Sequence, residues 1–357
     1  MTFLSDLQEL VECQSPSEDL AACNAVIDLA LEISDRNLSQ PAQRLESGGR
    51  PVFWWGTKDP EVLLLCHLDT VWPIDSYLPL WRVDGDQIFG PGIFDMKAGF
   101  LQAMYAIKEI SGAFEKVALV GTTDEEIGSH SSRELIEKLA KSAKTTLVFE
   151  SSIDDTVKIG RKGTSMYRIT LHGRAAHAGL EPEKGINATT EISRIVLALS
   201  QLENQEHGTT VVPTLMHSGA TTNTVPATAT LDIDARSFLS SELIRVDDAI
   251  QAIAPFHPQA RIEITGGINR PPLEHAATTE LYKTIEVVAK RMGLPPVGHV
   301  SVGGASDGNL AAAVGGKVLD GLGATGHGAH AAHEHILVSR LEPRISLITE
   351  FIKELIK

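Results

Sequence analysis

A chain of 357 residues, 43% hydrophobic and 22% charged, is long enough for two ordinary globular domains. Its formal charge of −15 repels nucleic acid and anionic lipid, so neither is an expected partner. No basic start leads into an apolar signal segment, no apolar run nears the roughly 18 residues of a membrane span, and Cys13, Cys23 and Cys66 are too scattered for a disulfide framework, so a reducing cytoplasm fits.

The first 30 or so residues read as two amphipathic helices. The first is "FLSDLQELV"; the second, "SEDLAACNAVIDLALEI", opens with Ser17 as cap. Short apolar strands then alternate with helical segments. "PVFWW" and "EVLLLCH" are strands, "MKAGFLQAMYAIKEI" a helix, "KVALVGTT" a strand, "SSRELIEKLAKS" a helix and "TTLVFE" a strand. Such alternation predicts an α/β domain whose mixed sheet is flanked by helices. From about residue 163 the texture changes. "TSMYRITLHG" alternates with period two, and a helix, two strands, a helix and "ARIEITG" follow. That β-α-β-β-α-β order is a ferredoxin-like split unit of about 110 residues, large enough for its own core. After "RPPLE" the α/β texture resumes with "TTELYKTIEVVAKRMG", a Gly-rich turn, a strand "GKVLDGLG" and a final helix "PRISLITEFIKELIK". The predicted domains are 1–162 with 273–357, and an inserted 163–272.

Polar residues collect where the strands of the first domain end. "EVLLLCH" ends in His67, and Asp69, two residues on, points the same way on an extended chain. Asp95 sits in a Gly/Pro-rich loop before a helix. "KVALVGTT" runs into Asp124, Glu125 and Glu126; "TTLVFE" ends in Glu150; "GKVLDGLGATGHGAH" reaches His330. Each alone reads as a solvated loop residue or a helix cap. Together they fall at one edge, and in open α/β sheets ligands bind beyond the carboxyl ends of the strands. Carboxylate and imidazole donors suit zinc, and also cobalt or manganese. Two Zn²⁺ held by His67, Asp95, Glu126, Glu150 and His330 would be balanced in charge by the three carboxylates and one hydroxide, and five groups can serve two metals if one carboxylate bridges. Asp95, short and on a constrained loop, is the expected bridge. Glu125 is then free as general base, and Asp69 would hold the His67 ring.

The motifs "HLDTVWP", "GPGIFDMKAG", "TTDEEIGS", "VFES", "GRAAHAG" and "GAHAAHE" resemble, in order and over essentially the whole chain, the dinuclear-zinc aminoacylase/carboxypeptidase family. The chain is most similar there to bacterial glutamate carboxypeptidase. The resemblance implies His67 and Glu150 on one zinc, Glu126 and His330 on the other, Asp95 bridging, and a cis peptide after Asp95. It selects His330 over His333, because the family pattern is Gly-x-His followed closely by Glu, here Glu334. It implies an inserted lid that also forms a homodimer. In that lid His177 would stabilise an oxyanion, from its own or a partner subunit, while Asn223, Arg236 and Arg270 would touch substrate. Gly303 and Gly304 would line the substrate channel.

The implied activity is amide hydrolysis next to a free carboxylate. Lys158, eight residues after Glu150, and Arg270 match basic residues that hold a substrate carboxylate in glutamate carboxypeptidase. The leading expectation is a zinc-dependent exopeptidase acting on a small acyl-amino acid or short peptide and releasing a C-terminal, glutamate-like residue. An N-acetyl or N-succinyl amino-acid deacylase is the alternative. A catalytically silent binding protein is the remote one, disfavoured by an intact Glu125 and five intact ligand positions.

Overall fold

The six residues Val62–His67 are all buried and form the strand around which the first half of the chain is organised. In the computed structural model, which describes residues 2–357, this strand pairs in parallel with Val117–Thr122 on one side and Thr145–Val148 on the other. Val318–Leu319 extends the parallel run beyond Thr145–Val148. At the opposite edge Arg50–Gly56 runs antiparallel to Val117–Thr122, and Gln43–Ser47 antiparallel to Arg50–Gly56. The result is one mixed six-stranded sheet.

Its central strands are continuous apolar runs because both faces are covered. Leu64, Cys66 and Leu119 join a core with Leu7, Val26, Phe100 and Phe351, from four different helices. Leu63, Leu65 and Val120 pack instead with Ile136, Leu139 and Leu310. The register sets His67 beside Thr122 and Leu65 beside Val148, so the parallel strands end at one edge. A small antiparallel sheet pairs His335–Leu337 with both Gly326–His327 and Gln87–Phe89, the last also with Arg82–Asp84.

The chain divides into two compact units. The first comprises Met1–Gly160, Leu273–Val302 and Ser306–Lys357; the second, Arg161–Pro272 and Gly303–Ala305. In the second, four antiparallel strands lie in the order Thr210–Ser218, Thr228–Ser237, Gly163–His172, Arg261–Arg270. The helices Ala188–Leu199 and Ser240–Gln251 supply Ile192, Ile195, Val246 and Ile250 to a core with Tyr167, Ile169, Leu171 and Leu231. In chain order this is β-α-β-β-α-β. Gly303–Ala305 joins this unit through Arg161, whose Nη1 donates to the Gly304 and Ala305 carbonyls, and through Arg236, whose Nη1 donates to the Gly303 carbonyl.

Several local readings need correction. The second helix is Leu20–Asn37, capped by Asp19, whose Oδ1 accepts from Ala21 N and Ala22 N; Ser17 turns away and donates to Asp69. The Gly-rich stretch after residue 303 holds a helix, Asp307–Ala313, started by a capping box between Ser306 and Asn309. Only Val318–Leu319 of the expected strand 316–323 is extended. The following carbonyls of Gly321, Leu322 and Gly323 turn to the buried Arg344 guanidinium instead. The last helix begins at Val338 and contains Pro343 rather than starting there. Among the described residues no helix is long and apolar enough to cross a membrane.

Candidate functional site

Five side chains from the edge of the first unit form a chain of close approaches. His67 Nε2 lies 3.6 Å from Glu150 Oε1 and 3.3 Å from Asp95 Oδ1. His330 Nε2 lies 3.5 Å from Asp95 Oδ2 and 3.0 Å from Glu126 Oε2. Asp95 is thus the middle member, turning one oxygen to each histidine. The other ring nitrogen of His67 is fixed from behind: Nδ1 is 3.0 Å from the Asp69 carbonyl and 3.5 Å from Asp69 Oδ1.

Asp69 does more than orient that ring. Its carboxylate accepts from Ser17 Oγ at 2.6 Å, from Glu125 N at 3.3 Å and from Glu126 N at 3.1 Å. One fully buried carboxylate therefore positions His67 and also the turn Glu125–Ile127 that carries the candidate base. Asp124 anchors the far side of that turn by accepting from Ser131 N and Ser132 N.

The loop bearing Asp95 is held by Glu334, which motif reading uses only to select a histidine. Its carboxylate accepts from Trp72 Nε1, Gly92 N, Phe94 N and Asp95 N, at 2.9 to 3.1 Å. Three backbone donors and an indole converge on a side chain with no solvent exposure. The pairing of His335 with Phe89 brings the two loops together. A glutamate directly before a buried strand, at the end of a Gly/Ala/His loop, was the available sequence signal. The Asp95–Met96 peptide is cis, as the resemblance implies. His330 adopts φ 60°, a left-handed conformation uncommon outside glycine and frequent at functional sites. His333 is exposed.

Glu150 is fixed through its neighbour. A Cβ at Gly99 or at Gly323 would overlap the Phe149 carbonyl oxygen, so glycine is required on both sides of that peptide. Lys158 Nζ, nearly buried, stands 3.8 Å from Glu150 Oε2 and 3.4 Å from Ser151 Oγ.

The electrostatics show what kind of group the cluster suits. Burial pushes the Glu126 carboxyl up to about 8. The hydrogen bond to Glu126 raises His330 to about 9. Burial alone would lower His67, but its bonds to Asp69 and Asp95 outweigh that and hold it well above its ordinary value. Burial would raise Asp95, yet the bond and charge of His67 bring it to about 2. Protons are retained where carboxylates crowd, the behaviour of a site built for positive charge. Glu126 Oε1 is buried and accepts no hydrogen bond. Ligand atoms of His67, Asp95 and Glu126 all lie within 4.8 Å of one another. Imidazole nitrogens, carboxylate oxygens, an orphaned buried oxygen and a fixed outer carboxylate fit divalent metal.

The second unit brings two of its candidates together. His177 pairs with Thr224 in a short antiparallel ladder, and Ala178 N donates to the Asn223 carbonyl at 2.9 Å. His177 Nδ1 accepts from Gly179 N and Leu180 N, both at 3.1 Å, which leaves Nε2 to carry the proton. Arg236 is engaged within the unit, bidentate on Asp234 at 2.8 and 3.0 Å. Arg270 is buried.

Known proteins repeat this arrangement of chain. The chain is 28% identical to carboxypeptidase G2 of Pseudomonas sp. (strain RS-16), over 99% of its own length and 89% of that protein's. It is 24% identical to the succinyl-diaminopimelate desuccinylase of Delftia acidovorans, over 98% and 96% of the two chains. Among solved structures, a tripeptidase from Staphylococcus aureus superposes with a TM-score of 0.78 at 22% identity, covering 99% of this chain and 97% of the other. An M20 family metallo-carboxypeptidase from Sulfolobus solfataricus gives 0.75 at 17% identity, over 99% of each. These likenesses show the fold. The model of peptidase family M20/M25/M40 matches residues 63–354, and with that span and the metal-type donor cluster the chain belongs to this family of metal-dependent hydrolases.

Proposed function

We propose that the protein is a di-zinc carboxypeptidase that hydrolyses an acyl-amino acid or short peptide and releases a C-terminal, glutamate-like residue. The observation that carries the reading is the placement of Asp95 between His67 and His330, with Glu150 and Glu126 at the two outer ends. His67 and Glu150 would hold one ion, His330 and Glu126 the other, and Asp95 both. Bound divalent metal supplies Lewis acidity, which acidifies water and polarises the scissile carbonyl.

The chain's own groups do the rest. Glu125, set by the Asp69 bond to its backbone N–H, takes the proton of the attacking water and returns it to the leaving nitrogen. Lys158, beside Glu150, receives the carboxylate of the departing residue, and Arg270 a second carboxylate, by charge-assisted hydrogen bonds. His177 donates from Nε2 to the oxyanion, while Asn223, Arg236, Gly303 and Gly304 contact substrate. The second unit serves as lid and as the homodimer contact. The three cysteines are all free thiols, which supports a reducing, cytoplasmic setting.

The test is hydrolysis by the zinc- or cobalt-loaded protein of a panel that varies acyl group and C-terminal residue independently. The expected result is a preference for C-terminal glutamate or aspartate that Lys158→Ala or Arg270→Ala removes. Indifference to that residue, with strict dependence on a small acyl group, would establish a deacylase instead.

A further inference from the structure

Arg344 projects from the last helix, Val338–Leu355, into the interior of the first unit, where it is 7% exposed. A buried charge is costly unless it is fully hydrogen-bonded, and well-packed apolar residues of similar size often serve stability as well or better. Here the guanidinium is satisfied by main chain. Nε donates to the Leu322 carbonyl at 3.2 Å and to the Gly323 carbonyl at 2.6 Å. Nη1 donates to the Asp155 carbonyl at 3.3 Å, and Nη2 to the Thr156 carbonyl at 3.4 Å and to that of Gly321. One side chain thus gathers carbonyls from two separate loops, 321–323 and 155–156, as a rigid fork of donors can.

Both loops bear on the Glu150 end of the cluster. In the first, the N–H groups are engaged as well as the carbonyls: Leu322 N donates to the Val148 carbonyl at 3.1 Å and Gly323 N to the Glu150 carbonyl at 2.9 Å. Ser152 N donates to the Ala324 carbonyl at 2.9 Å, so the segment on both sides of Glu150 is laced to 322–324. The second loop leads into the strand Val157–Arg161, whose Lys158 N donates to the Asp320 carbonyl at 2.8 Å. It also holds Asp154 and Asp155 at φ 52° and 58°, consecutive left-handed residues of a kind that persists only where the surroundings impose it. Glu150 Oε2 and Lys158 Nζ, 3.8 Å apart, therefore stand on segments pinned by the same guanidinium. The Glu126 end is held by other means, through Asp69 and the N–H groups of Glu125 and Glu126.

We infer that Arg344 is a positioning residue for the Glu150 end of the site: it sets Glu150 and Lys158 relative to each other and leaves the His330–Glu126 end unaffected. The inference rests on the reading of His67 with Glu150, and of His330 with Glu126, as two separate ion sites.

The experiment is calorimetric titration of metal-free protein with cobalt in two backgrounds. Glu126→Gln spares the ion of His67 and Glu150; Glu150→Gln spares that of His330 and Glu126. Adding Arg344→Lys, whose ammonium has three donors and no fork, should weaken the spared ion by about 10-fold or more in the first background. In the second the change should stay below about twofold, as for uncoupled sites. Arg344→Met, which keeps an aliphatic stem and loses every donor, is the second variant, with the same split expected. A residue needed only for packing would weaken both ions alike or neither, and either result overturns the inference while the two-ion reading stands. Absence of cobalt binding in both backgrounds before Arg344 is changed overturns the two-ion reading, and the inference with it.

Discussion

Glu125, the proposed base, and Glu334 are held in different ways although both lie at one cluster. Glu125 sits on a turn whose geometry is set by Asp69 rather than by its own side chain. Glu125→Ala should therefore leave metal content near that of the wild type and abolish turnover, measured by elemental analysis beside an activity assay. Glu334 touches no reacting group; it acts through the Asp95 loop. Glu334→Ala unpairs the Gly92, Phe94 and Asp95 N–H groups together. It should weaken metal binding by about 10- to 100-fold, the usual effect of losing an outer carboxylate, as read by competition with a chelator. Glu334→Gln, which keeps an acceptor, should lose less. That His67, Asp95 and Glu150 meet at one edge was readable because each polar residue follows a run or loop that has no other use for it. Glu334 was not, since its partners are main-chain donors some 240 positions away. Arg236 offers the opposite lesson. The resemblance implies that it touches substrate, yet Asp234 lies two residues earlier on the same strand face and takes its guanidinium.

Among elements, the helix Ala98–Lys108 and the loop after Val318–Leu319 press glycines onto the Phe149 peptide from both sides. Gly99→Ala forces backbone apart where no side chain can yield. A loss of about 1–3 kcal/mol is expected, visible as a lowered Tm, with weaker metal retention because Glu150 follows Phe149. A wild-type Tm in this variant would show that the close approach is dispensable. In the second unit Glu242 is hydrogen-bonded to Arg245 and to Thr209. The Arg245 bond, chiefly, lowers its carboxyl from the ordinary 4.5 to about 2. A carboxyl depressed on folding stabilises above its ordinary value and loses that contribution as the pH falls toward its folded one. The Tm difference between wild type and Glu242→Gln should be full at pH 5 and above, and shrink as the pH falls from 4.5 to 2. Long apolar strands and period-two alternation made the two sheets legible. The strands Arg82–Asp84, Gln87–Phe89, Gly326–His327 and His335–Leu337 were not, because two or three residues show no period and are fixed only by pairing across the fold.

For the whole molecule, the proposed ligand set should couple metal to one unit more than to the other. All five proposed ligands belong to the first unit, whereas Arg161–Pro272 has its own core. Ion present at about 100 times its Kd stabilises the state that binds it by about 2.7 kcal/mol. Chelation should lower the calorimetric transition of the first unit and leave that of the second in place. A common shift of both transitions would mean that the units unfold as one.

The same ligand placement has a consequence in time. A ribosome makes His67, Asp95, Glu126 and Glu150 before any of the second unit, and His330 only after it. His330 follows Glu150 by 180 positions, on the order of 10 to 40 s at roughly 5–20 residues per second. Throughout that interval the nascent chain carries crowded carboxylates without their second imidazole, and the sheet lacks Val318–Leu319 as its edge strand. With the proposed ligand set, full metal loading would be a late event in biogenesis, reached only once the inserted unit has been synthesised and the chain has returned to the domain it left.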